Sequence, residues 1–133
     1  MIGFTELLRQ LDNLDLPKDQ YAIFGSGPLV IRGILDSNDL DVFVKPELWD
    51  ELIKRYPVKK KFCETIEIGD IEITKDLSPW FDDASRFIDD SEEIKGHMFV
   101  KLKHIIDFKK KMNREKDKRH IELINEYLKD KKG

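Results

Sequence analysis

With 133 residues and 40% apolar content, the chain has material for one domain with a modest core. It holds no run of 18 uncharged apolar residues and no basic-then-apolar leader, so membrane insertion and secretion are not expected and the cytoplasm is the expected compartment. A single cysteine, Cys63, excludes an internal disulfide and a thiolate zinc cluster, and a formal charge of −3 gives no general case for nucleic-acid binding.

That charge is unevenly spread. Residues 1–100 carry 12 Lys/Arg against 21 Asp/Glu, whereas residues 101–133 carry 12 against 6. An acidic front and a basic tail suit a site that sets metal ligands opposite phosphate ligands, or else a solvated basic helix face.

Phe4, Leu7, Leu8 and Leu11 recur at helical spacing behind Gly3 or Thr5, which predicts a helix over 5–13 that ends at Leu14-Asp15-Leu16-Pro17. Tyr21–Phe24 reads as a short buried strand running into Gly25-Ser26. Gly25 permits close approach of the chain to a ligand, and Ser26 with the amides behind it offers donors to a triphosphate if a helix starts there; otherwise Gly25-Ser26-Gly27-Pro28 is an ordinary turn. Residues 29–35 are strand or helix by composition, because their β-branched residues favour a strand and no polar face sets a helical period.

After the turn at Asp36-Ser37-Asn38 comes the densest chemical signal, Asp39-Leu40-Asp41, opening the apolar strand 40–44. Alternation along a strand projects Asp39 and Asp41 to one face. Two carboxylates at the mouth of a buried strand suit a hard divalent cation, Mg²⁺ or Mn²⁺, which keeps part of its shell for phosphate oxygens. A phosphate-compatible turn beside such a pair implies phosphoryl or nucleotidyl chemistry.

Pro46 at a first helical position, with Leu48, Trp49, Leu52 and Ile53, predicts a helix to about Arg55, with Trp49 in the core. Alternation over 62–68, the Gly69-Asp70 turn and the renewed alternation at 71–74 predict a hairpin. Glu72, opposite the face of Ile71 and Ile73, is the best third carboxylate provided its strand neighbours that of Asp39 and Asp41; Glu64 and Glu67 are weaker candidates. Cys63 reads as a small buried hydrophobe rather than a nucleophile. Ser78–Asp83 reads as a loop whose Trp80 and Phe81 cover the sheet edge or line a cleft.

From about residue 93 the chain is expected to be helical, starting at Ser91-Glu92-Glu93, with Ile94, Met98, Leu102, Ile105 and Met112 as an apolar stripe. His97, Lys101 and His104 then project on one side; two histidines seven residues apart do not argue for zinc, but Lys101 facing a cleft would meet phosphate as a point charge. Asp117 is positioned to cap a last helix that turns Ile121, Ile124 and Leu128 inward and His120 outward.

Gly25-Ser26, Asp39-x-Asp41 and the later strand carboxylate Glu72 resemble the nucleotidyltransferase superfamily that includes DNA polymerase beta, and more narrowly its small AbiEii-like members. The resemblance covers about residues 20–128. It implies an α+β fold with a mixed sheet flanked by helices, a helix over 26–34, and two Mg²⁺ ions held by Asp39, Asp41 and Glu72. It also implies that Gly25-Ser26 holds the β- and γ-phosphates of a nucleoside triphosphate, and it matches Lys101, Lys116 and Asp117 to the family's late lysines and aspartate. The implied activity is transfer of a nucleoside monophosphate to an acceptor hydroxyl with release of pyrophosphate. Nothing in the residues names the acceptor, which is a small molecule, an RNA end or a protein. The alternative function is a non-catalytic module of the same fold that acts with a protein partner.

Overall fold

The computed structural model describes residues 3–60, 63–76 and 84–132. In chain order the elements are α1 (Phe4–Asn13), β1 (Tyr21–Phe24), α2 (Gly27–Val30), β2 (Leu40–Val44), α3 (Pro46–Leu52), β3 (Val58–Lys60), β4 (Glu64–Ile68), β5 (Ile71–Thr74), α4 (Ser85–Asp89), β6 (Glu92–Ile94), β7 (His97–Phe99), α5 (Leu102–Met112) and α6 (Glu115–Lys132). The strands form one sheet in the order β3-β4-β5-β2-β1-β7-β6. It is mixed: β2 runs parallel to β5 and β1 to β7, and the other neighbours are antiparallel. The expected mixed sheet, flanking helices and helical C-terminal region are therefore present. No helix among the described residues is long and apolar enough to cross a membrane.

Strand alternation divides the core into two layers. Ile23, Leu40, Val42, Ile66, Ile71 and Ile73 point to one face and pack with Leu7 and Leu11 of α1 and Trp49 and Leu52 of α3. Ala22 and Phe43 point to the other, where they meet Ile88 of α4, Leu102 and Ile105 of α5 and Ile124 of α6. The second face has fewer apolar strand residues because Asp41, Glu72, Thr65 and Thr74 alternate with the first set. Polar side chains on a helix-covered face open a cleft there rather than a closed core.

Several expectations change. Ser91-Glu92-Glu93 does not start a helix, and residues 93–101 are not helical. Lys95 and Gly96 have φ of 51° and 89°, a left-handed pair that folds β6 back on β7 as a tight hairpin, and no helical residue tolerates that turn. His97 accordingly lies on a strand, with its Nε2 2.8 Å from Asp12 Oδ1, and shares no helix face with His104. The helix implied over 26–34 is confined to Gly27–Val30, followed by turns that end at Ile34 N–H donating to Leu29 O. Gly33, at φ 75°, stops its continuation. Helix α3 ends at Leu52, with Arg55 and Tyr56 held by single turns onto Leu52 O. The edge strand β3 has no sequence signal that alternation would find, since Val58, Lys59 and Lys60 are all exposed. Phe62 and the Ser78–Asp83 loop, including Trp80 and Phe81, lie outside the described residues.

Candidate functional site

The parallel pairing of β2 with β5 aligns Asp41 with Glu72, and the pairing of β1 with β2 aligns Phe24 with Asp41. Aligned residues share a face, so Phe24, Asp41 and Glu72 form one row across three strands. The sequence condition on Glu72, that its strand neighbour that of Asp41, is met. Asp39 sits two residues before Asp41 at the strand mouth, its N–H donating to Ser37 Oγ at 3.2 Å. Asp41 and Glu72 are half-buried and Asp39 is exposed. Glu67 aligns with Glu72 on the far side, but Lys59 engages it at 3.1 Å, and Glu64 is exposed.

Gly25 sits against this row. Its φ of 67° disfavours any side chain, and a Cβ there would lie 2.7 Å from Asp41 Oδ2, so a larger residue would be strained and would displace the carboxylate. A Cβ on Gly27 would lie 2.3 Å from Ile23 Cγ2, so that glycine is required by the seating of α2 on β1.

Gly25, Ser26, Asp39, Asp41 and Glu72 line a cleft of about 330 Å³. Across it stand Ile105, Phe108, Lys109 and Met112 of α5, then Arg114, Lys116 and His120. Lys109 is 6% exposed, with Nζ donating to His120 Nδ1 at 3.0 Å and lying 3.6 Å from Asp117 Oδ1. Asp117 is fully buried. It accepts from Arg114 Nε at 2.6 Å and Nη2 at 3.1 Å, and from the Arg114 backbone N–H at 3.1 Å. That last bond is the reach-back half of a capping box: Asp117 stabilises the start of α6 from its third position rather than as the residue preceding it.

The electrostatics follow from this packing. Burial pushes the Asp117 carboxyl up, but its bonds from Arg114 and the charge of Lys109 outweigh that and hold it below its ordinary value. Burial lowers Lys109, with Asp117 opposing the shift. Burial and the adjacent Lys109 charge lower His120, which favours the neutral imidazole that accepts from Lys109. Lys109, Arg114 and Lys116 thus bring three cations against one carboxylate, and the cleft has a positive wall facing an acidic one.

Lys101 is not among the residues lining this cleft. It precedes α5 with extended backbone, and its Nζ lies 3.1 Å from Asp90 Oδ1. The expectation for Lys101 took the chain as helical from about residue 93; the β6–β7 hairpin stands there instead, and the lysine of α5 that lines the cleft is Lys109. Lys116 does line it. His120, expected on the outer flank, lines it too, while Leu128 is 37% exposed instead of turned inward. Lys109, Arg114 and His120 are the residues sequence reasoning missed. Only Arg114-x-x-Asp117 carried a signal, as a capping-box spacing; the approach of Lys109 to His120 depends on how α5 and α6 pack.

Carboxylate oxygens are the donor type that a hard divalent cation prefers. Asp41 and Glu72 stand on adjacent strands, about 5 Å apart by sheet geometry, and both offer oxygens. Among the described residues, no three Asp, Glu, His or Cys side chains form a ready-made metal cluster. A Mg²⁺ ion, commonly held by one or two carboxylates with water and substrate phosphate completing its shell, does not require one.

No protein-family model matches this chain, and neither does any curated protein or solved structure.

Proposed function

We propose that the protein is a metal-dependent nucleotidyltransferase that moves a nucleoside monophosphate from a nucleoside triphosphate to an acceptor hydroxyl. The observation that carries this reading is the two-walled cleft: Asp39, Asp41 and Glu72 with the Gly25-Ser26 turn on one side, and Lys109, Arg114 and Lys116 on the other. Its resemblance to the nucleotidyltransferase superfamily rests on the same acidic residues and turn.

In this reading Asp41 and Glu72 hold Mg²⁺ or Mn²⁺, with Asp39 joining them from the strand mouth. Such an ion, when bound, lowers the pKa of an acceptor hydroxyl and neutralises charge on the leaving pyrophosphate. Gly25 keeps the turn tight against Asp41 so that phosphate can approach both backbone and carboxylate. Lys109, Arg114 and Lys116 bind the triphosphate and stabilise the charge that builds on pyrophosphate as the bond to the α-phosphorus breaks. Lys109, held by His120 and Asp117, is the best positioned of the three, because a buried, hydrogen-bonded ammonium reorganises little during the reaction. Lys101, tied to Asp90 outside the cleft, has no part in this scheme.

Incubation of the wild-type protein with each of four α-labelled nucleoside triphosphates, Mg²⁺ or Mn²⁺ and fractionated cell extract tests the reading. The expected result is label transfer with pyrophosphate release that is lost in Asp41→Asn while its circular dichroism is unchanged. Transfer unaffected by Asp41→Asn rejects the site. A second reading, a binding module that uses a protein partner, draws on β3, whose exposed residues form one edge of the sheet. It predicts metal-dependent nucleotide binding with no transfer in any fraction.

A further inference from the structure

The cleft is graded along its length. Asp39, Arg114 and Lys116 are exposed at its rim, whereas Thr65 and Thr74 are 3% and 5% exposed and Ile105 is 4% exposed at its inner end. The lining is also apolar and aromatic in part. Phe24, level with Asp41 and stacked on Phe43 with centroids 3.6 Å apart, lines the cleft together with Phe108, Ile105 and Met112.

One polar atom there is out of place. Thr74 Oγ1 is buried and has no hydrogen-bond partner among the described residues. Thr65, one step beyond the Ile66–Ile73 pair and so level with Thr74, satisfies its own hydroxyl by donating to Cys63 O at 3.0 Å. An unpartnered buried hydroxyl is costly, and a valine of the same shape would remove the cost. Thr74 lies two residues beyond Glu72 on the same face of β5, so its hydroxyl stands inward of the carboxylate that the proposed reaction uses.

We propose that the inner end of the cleft is the nucleobase site, in which a base packs against Phe24 and Phe108 and its polar edge hydrogen-bonds to the hydroxyl of Thr74. This inference rests on the nucleotide-binding reading above and extends it from the triphosphate to the base. A planar heteroaromatic ring matches the wall on both counts: its faces suit aromatic and aliphatic side chains, and its edge supplies the missing partner. The phosphates then extend toward the charged rim, where Lys109, Arg114 and Lys116 oppose Asp39, Asp41 and Glu72. Thr74 is a specificity-determining residue in this scheme, not a catalytic one.

Calorimetric titration with ATP, CTP, GTP, UTP and inorganic tripolyphosphate, each with Mg²⁺, tests it on the wild type, Thr74→Val and Thr74→Ser. The wild type is expected to bind at least one nucleotide more tightly than tripolyphosphate and to rank the four bases. Thr74→Val should bind the favoured nucleotide about 3- to 10-fold more weakly, leave tripolyphosphate unchanged, and raise the Tm of the ligand-free protein by about 3–5 °C by removing the unsatisfied hydroxyl. Thr74→Ser should keep the ranking. Equal binding of nucleotides and tripolyphosphate, or a base ranking unaltered in Thr74→Val, overturns the base site and leaves the triphosphate reading standing. Equal losses in the valine and serine variants also overturn it, by assigning the effect to packing. Failure of the wild type to bind any of the five ligands overturns both.

Discussion

Helix α5 is flanked by two clusters of nearly the same composition in opposite surroundings. Before and within its first turns, Lys101, Lys103 and His104 converge on Asp90, at 3.1, 3.4 and 2.7 Å. At and beyond its other end, Lys109 of its last turns, Arg114 and His120 gather around Asp117. The Asp90 side chain keeps 40% of its surface exposed, whereas that of Asp117 keeps none. Water screens the first set, so its contacts fix the entry to α5 at small energetic consequence. In the second, Asp117 and Lys109 are shielded, so their charges depend on each other, and Arg114 runs from Asp117 to the rim of the cleft. Residue identity alone does not separate the set proposed to bind phosphate from the other; burial beside the carboxylate wall does.

The largest expected effect breaks that contrast directly. Asp117→Ala removes the buried partner of Lys109 and Arg114 and the reach-back bond to the start of α6. It should cost about 3–5 kcal/mol in a urea melt, the range typical of breaking a buried ion pair. Asp90→Ala should shift the same midpoint far less. Similar losses from the two variants would mean that burial is not what distinguishes them.

Ligand binding sharpens the comparison. A buried charge-assisted contact to phosphate is worth more than a screened one, so Lys109→Met should weaken Mg²⁺–tripolyphosphate binding by about tenfold to hundredfold. Methionine is chosen because Ile105, Phe108 and Met112 already line that wall. Lys101→Met should leave binding unchanged, since Lys101 faces Asp90. The reverse result, a loss with Lys101→Met alone, would restore the lysine that the sequence pattern selected and remove Lys109 from the scheme.

The acidic wall was more legible in the sequence than the basic one, for a physical reason. Asp41 and Glu72 sit on short strands whose two-residue alternation fixes the face of each side chain, Asp39 lies at the mouth of one of them, and Gly69-Asp70 fixes the hairpin that brings β5 within reach of β2. The remaining step, that β5 lies parallel against β2, is tertiary. The basic wall depends instead on where α5 begins and how it packs on α6: Leu102 and Ile105 keep the buried face expected of them, but Lys101 falls outside the helix. Lys95-Gly96 was the local sign of that later start: a lysine-glycine pair between two alternating triplets is a tight-turn signal, but the apolar spacing of Ile94, Met98 and Leu102 also satisfies a helix. His120 was misplaced because its environment is set by the packing of α6 against α5 rather than by the period of α6.

The smallest expected effect is in pH dependence, and it separates His120 from the aspartates by pH window. His120 has its pKa lowered, by burial first and then by the Lys109 charge, so below the ordinary histidine value the unfolded chain takes up a proton that the folded protein resists. Stability attributable to His120 is therefore complete at neutral pH and is lost as pH falls through about 6.5, the unfolded value. Asp90 behaves differently. His104, then Lys101 and Lys103, hold its carboxyl well below the usual carboxylate range, so its contribution is present above the ordinary Asp value and disappears only on stronger acidification. Urea midpoints measured from pH 7.5 to 3 should show two declines, the first between about 7 and 5.5 and the second below about 4. His120→Gln, which keeps an acceptor for Lys109 but cannot take up the proton, should reduce the first decline and spare the second, to which Asp117, also held below its ordinary value, contributes together with Asp90. A first decline of full size in His120→Gln would place the titrating group elsewhere and remove the neutral imidazole from the account of how Lys109 is held.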